Sequence, residues 1–278
     1  MDWPATLSLL VVGLVYVRGW LRLRRALLSA RSSRQLVAFA AGLSALWLAL
    51  GSPLAALHHE LLSIHMVQHV LLMAVAPPLM LLGAPLEPLL AGIPGMPARP
   101  MPRLVRRDRF RRIRAVVMHP VVCWLAPVAA LIAWHVPAVF ELGRHERPWH
   151  AVQAASFLAT GLLFWAPVVR PSSSFTWPRW SIPLYLFTAT LPCDALSAFL
   201  VFCGRVVYPV HVAAPRLFDV SPLRDQELAG SIMWVAVTLI YLVPATAVTL
   251  QLLSPMETSD RIPTAMASTT GDERCVVT

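Results

Sequence analysis

Seven apolar runs, each about the 20 residues a helix needs to cross a bilayer, dominate this chain. They lie near residues 3–20, 36–57, 61–83, 115–140, 150–169, 181–204 and 229–253. Only 13% of residues are charged, roughly half the fraction usual in soluble domains. A chain of this kind folds as an all-α, polytopic membrane helix bundle with about seven transmembrane helices. Residues 1–253 read as one membrane domain. Residues 254–278 are polar and rich in Thr and Ser, and read as a disordered cytoplasmic tail.

The loops orient the bundle. Formal net charge is +9, and every basic residue is arginine. The first, third and fifth loops and the tail together hold eighteen of the twenty-three arginines, eight of them between Arg99 and Arg114. By the positive-inside rule this places the N-terminus outside and the C-terminus inside. The charge therefore has a membrane origin. No basic patch is interleaved with stacking aromatics, so nucleic acid is not a partner; the lipid bilayer is. The start, MDWPATLSLLVVG, has no basic segment and no small-residue cleavage site, and reads as a first transmembrane helix rather than a cleaved signal.

Proline and cysteine add detail. Pro77 and Pro78 remove two backbone donors inside the third run, and Pro85 and Pro88 follow. A kinked helix that passes into an interfacial segment near Leu86–Ala91 is expected. The cysteines at 123, 193, 203 and 275 form no C-x-x-C pair. Cys193 and Cys203, ten residues apart on one helix and so roughly 15 Å apart along it, cannot bridge each other.

The third run opens on LHHELLSIHMVQHVLLM, residues 57–73. On the arginine-derived topology, eight of the nine histidines fall on the outer half of the protein, His119 being the exception. On a regular helix His58, His65 and His69 share a face within roughly 40°. Met73 extends it, so that His65, His69 and Met73 make an i, i+4, i+8 ladder. His69 would lie roughly 12 Å below the start of its helix. A polar group at such depth needs a partner or a cavity. Imidazole suits several transition metals, whereas thioether favours Cu(I), so the ladder points to copper, with His135 or His150 as a third ligand. The plain alternative is that an intramembrane histidine hydrogen-bonds a carbonyl across the bundle, and it applies most to His59, His119, His145 and His211.

Two acids matter. Asp194, in LPCDALSAF near the middle of the sixth run, is a candidate charge or proton partner. Asp225, in SPLRDQELAGSIMWV, either favours its own helix N-terminus or orients a ligating histidine through its ring N–H.

The segment SIHMVQHVLLMAVAPPLMLLGAPLEPLL, then WHVPAVF, GLLFWAPVV, the Tyr208–Pro209 pair and SPLRDQELAGSIMW resemble the CtaG family of caa3-type cytochrome c oxidase assembly factors, in the Gram-positive sense of that name. The resemblance covers about residues 40–253. It implies a bacterial plasma-membrane protein that assists assembly of a haem–copper oxidase, with oxidase subunits and an extracytoplasmic copper donor as partners and copper as cargo. By position it implies roles for His65, His69, His135, His150, the Asp225–Gln226 pair and the Met233–Trp234 pair. Where relatives often carry a further histidine, this chain has Ala154.

The expected metal set is thus His58, His65, His69, His135, His150 and Met73, with Asp194 and Asp225 as supporting charges and no catalytic nucleophile. Four other readings use the same residues. One is a haem-b carrier ligated by His69 and His135, another a metal-free assembly scaffold. A membrane di-iron enzyme would need its histidines on the cytosolic side. A copper transporter would need a polar path through the inner half.

Overall fold

The structure is a computed structural model that describes residues 3–25, 32–96, 113, 115–145, 147–169, 178–209 and 219–254. In chain order its helices are α1 (Trp3–Arg25), α2 (Ser33–Leu50), the single turn α3 (Pro53–Ala56), α4 (Leu62–Val70), α5 (Ala76–Leu82), α6 (Leu86–Gly92), α7 (Pro120–His135), α8 (Pro137–His145), α9 (Arg147–Val169), α10 (Ser181–Phe202) and α11 (Pro222–Leu253). A 3₁₀ turn, Leu57–His59, follows α3, and a π turn, Leu71–Val75, joins α4 to α5. Six spans are long and apolar enough to cross a membrane, and a seventh forms if α7 and α8 count as one bent span. Large apolar side chains such as Leu14, Val37, Phe187, Leu239 and Val243 face outward, which suits a lipid environment and no aqueous one.

The third span shows how prolines are accommodated. Without N–H groups, Pro77 and Pro78 leave the carbonyls four residues earlier unpaired. The chain responds with the π turn, in which the Ala76 N–H donates to the Leu71 carbonyl. The Met73 carbonyl, which Pro77 cannot serve, accepts from Trp165 Nε1 at 3.1 Å. Trp165 reaches it because α9 packs closely there. A Cβ on Gly161 would lie 2.8 Å from both the Met73 carbonyl oxygen and the Pro77 ring, so only glycine permits the approach. The expected segment after this span is the separate helix α6. It is seated on α1, where Cβ atoms on Gly19 or Gly92 would collide with the facing backbone, and Arg22 Nη1 donates to the Ala91 carbonyl at 2.8 Å.

Two expected boundaries change, and the third span, which starts where expected, leaves out His58 and His59. The fourth span does not run to residue 140. It stops at His135 and turns by 86° into α8. The cause is Pro137: the residue before a proline avoids the helical region, and Val136 is extended at φ −63°, ψ 124°. The seventh span starts at Pro222, with Ser221 accepting from the Arg224 N–H. Its first turn is polar and so escaped a reading based on apolar runs. The third span starts at Leu62, because Leu61 is extended at φ −120°, ψ 123°. His58 and His59 therefore belong to the 3₁₀ turn after α3, not to the helix that carries His65 and His69.

The expected tail lies outside the described residues except for Ser254, whose N–H closes α11 onto the Leu250 carbonyl. The arginine-rich third loop lies almost wholly outside them.

Candidate metal centre

The outer end of the bundle gathers histidines from four elements. His58 and His59 come from the 3₁₀ turn, His65 and His69 from α4, His135 from the last residue of α7 and His150 from the first turn of α9. Their rings form a continuous row. Ring centres are 3.8 Å apart for His58–His59, 4.4 Å for His58–His150, 6.2 Å for His58–His65, 4.2 Å for His65–His69 and 5.5 Å for His69–His135. His58 and His150 are half-buried at one end, whereas His65, His69 and His135 are buried at the other. Phe140 stands edge-on against His65 at 5.0 Å, and Phe157 lies 4.3 Å from His69. The 86° corner brings Phe140 into place.

The hydrogen bonds divide the row. His58 Nδ1 pairs with the Ala55 carbonyl. His135 Nδ1 donates to the Leu131 carbonyl at 2.7 Å. In the neutral ring this leaves the Nε2 lone pair facing outward, and it faces Met66 Sδ at 3.5 Å. The two atoms present electron pairs to each other, an arrangement suited to a shared soft cation. His65 Nε2 and both ring nitrogens of His69 are buried, with no hydrogen-bond partner among the described residues. Leaving a buried polar atom unmet costs about 1–3 kcal/mol.

The supporting groups hold helices rather than imidazoles. No hydrogen bond among the described residues joins Asp225 to a histidine ring. Its carboxylate accepts from the N–H groups of Leu62, at 2.6 Å, and Ser63, at 3.1 Å. It thus caps α4, the helix that carries His65 and His69, from a position more than 160 residues away. Asp225 does lie in the first turn of its own helix, as one expected reading has it, while its two hydrogen bonds go to the start of α4 and not to a ring N–H. Gln226 accepts from the Val207 N–H and donates to the Leu200 and Arg205 carbonyls, pinning the segment before Tyr208. The Tyr208 hydroxyl then donates to the His135 carbonyl at 3.1 Å, a group the corner leaves without a helical donor.

Other expected residues fall elsewhere. Met73 sits in the π turn, off the straight ladder, and lines a cavity with His69. Asp194 is half-buried on α10, its Oδ1 buried without a hydrogen-bond partner, and no hydrogen bond or ion pair among the described residues joins it to the histidines. His119 is exposed and caps α7, its Nδ1 accepting from the Val121 N–H at 3.3 Å. The side chain of His145 and all of His211 lie outside the described residues. Ala154 lines a small cavity with His69, His150 and Gln153, so a histidine there in relatives would face this same row. Met66 and Gln153 stand outside the expected metal set, and the corner at His135 brings the Met66 sulfur into contact with that ring.

Among the described residues, no three His, Cys, Asp or Glu side chains converge as ligands of one ion. An all-nitrogen tetrahedral site of the zinc type is not assembled. The donors that do approach each other mix imidazole with thioether, the combination that favours Cu(I). His69 and His135, the pair named for the haem reading, have ring centres 5.5 Å apart at an interplanar angle of 78°.

Residues 14–254 match the family described as cytochrome c oxidase caa3 assembly factor, Caa3_CtaG. The chain belongs to this family. Neither the curated proteins nor the solved structures contain a match. Membership makes the chain a multi-pass bacterial membrane protein and a factor for cytochrome c oxidase assembly, with the oxidase as its partner. Such families generally act without catalysis.

Proposed function

We propose that this assembly factor carries copper as Cu(I) in the outer half of the membrane and passes it to a nascent oxidase subunit, itself turning over no substrate. The observation that supports this reading best is the unmet nitrogens of His65 and His69. Three buried polar atoms in succession, within a membrane span, are costly without a ligand. His69, His135 and Met66 would hold the ion, with His65 beside them and His58 and His150 at the mouth, where an extracytoplasmic donor could reach. Rigid supports keep these donors in place. Asp225 fixes the start of α4, and Tyr208 fixes the carbonyl of His135.

The test is copper content of the purified protein after Cu(I) loading, alongside oxidase assembly in cells that depend on the chain. Wild type should retain copper, and His65→Ala/His69→Ala should lose it together with oxidase activity. Normal oxidase assembly by the copper-free double variant would replace this reading with a metal-free scaffold. That alternative has one observation in its favour, the absence of three converging ligands among the described residues.

A further inference from the structure

His69 borders a second space. On the membrane side of the histidine row lies a cavity of about 40 Å³, walled largely by apolar groups including Leu131, Phe164 and Val237. Three sulfur-bearing side chains also line it: Met73 from the π turn, Cys193 from α10 and Met233 from α11. Cys193 is 5% exposed, Met233 2% and His69 4%, whereas Met73 is half-buried, so three of the four donors are buried. Both nitrogens of His69 lack a hydrogen-bond partner among the described residues, and this is the ring that borders the cavity. The space exceeds the roughly 10–15 Å³ that one water needs, so it admits one small ion and no organic cofactor.

We propose that this cavity is a second, sulfur-rich Cu(I) site, with Cys193, Met73 and Met233 as donors and His69 shared between it and the histidine row. The inference rests on the copper reading above and assigns it an inner stop. Two thioethers and a thiol select a soft monovalent ion over zinc, calcium or magnesium. Binding replaces the Cys193 thiol proton, which leaves to bulk water. The thiolate then neutralises the single charge of the ion, which matters in a wall that offers little other compensation. His69 borders both the histidine row and the sulfur-lined cavity, so it is the side chain common to the two.

The experiment uses the full-length protein in detergent micelles, loaded with Cu(I) under reducing conditions. Copper stoichiometry, competition affinity and copper K-edge X-ray absorption are read on wild type, Cys193→Ser/Met233→Leu and His65→Ala. Wild type should show copper–sulfur scattering. The sulfur variant should lose most of it, with Met66 supplying what remains, and should bind its tightest copper at least tenfold more weakly. His65→Ala, which leaves the cavity intact, should keep the sulfur signal. Met233→Leu conserves volume, so the same measurements on that single variant stand if the double variant unfolds. Copper retained by the sulfur variant with unchanged scattering overturns the inner site and leaves the histidine row standing. Copper absent from wild type overturns both.

Discussion

Three buried donors of the inner half and the two buried histidines of α4 in the outer half differ in how they are met. In the inner half Tyr185 donates to the Phe164 carbonyl at 3.0 Å, Tyr16 to the Gly83 carbonyl at 2.7 Å, and Trp165 to the carbonyl that Pro77 strands. Each meets a backbone acceptor and joins two helices. Phe164, Tyr185 and Tyr241 stack around them, with Trp165 edge-on to Phe164 and Tyr241. In the outer half His65 and His69 are as deeply buried as these groups, yet three of their nitrogens meet no acceptor or donor among the described residues. Those three inner groups are explained by the fold, although Trp20 Nε1, Gln35 Oε1 and Trp124 Nε1 are also buried without a hydrogen-bond partner among the described residues. The outer ones are not, and a bundle that needed only stability would carry leucine there.

That contrast can be broken. The largest effect is expected from Asp225→Ala, which strips two charge-assisted bonds from buried N–H groups and uncaps the helix of the row. Stability in detergent micelles should fall by about 3 kcal/mol, read from denaturant unfolding, and an unmoved midpoint would show that α4 starts without it. Next comes Trp165→Phe. The ring volume is nearly kept, but the Met73 carbonyl loses its donor, and a drop of about 2 kcal/mol is expected. The smallest change, and the sharpest, is His69→Leu in copper-free protein. Removing a buried ring with two unmet nitrogens should leave stability unchanged or raise it by up to about 1 kcal/mol, while copper retention is lost. A clear destabilisation by His69→Leu would instead make this histidine part of the packing, like Tyr185.

Much of this was legible in the chain. Bilayer-length runs and the arginine asymmetry yield the spans and their orientation, because lipid demands continuous apolar helices and the charge bias acts locally in short loops. The four-residue spacing of His65 and His69 places them on one helix face, and their rings do lie 4.2 Å apart. Periodicity failed where the helix itself fails. Leu61 breaks the helix between His58 and His65, and the π turn moves Met73 off the ladder. Asp225 could be flagged as an acid near a helix start, but not as the cap of a helix far earlier in the chain.

By itself, then, the sequence determined the class and the donor types on one face of α4 and set an expectation for the orientation, since each follows from local composition and short spacings. Only tertiary structure decided which donors meet. Met66 faces His135 because Pro137 ends α7 there, with the Tyr208 hydroxyl on the freed carbonyl. His69 reaches a sulfur-lined cavity because α4, α10 and α11 converge beside it. Contacts between residues far apart in the chain depend on where helices stop and how closely they pack, and no window of neighbouring residues carries that information.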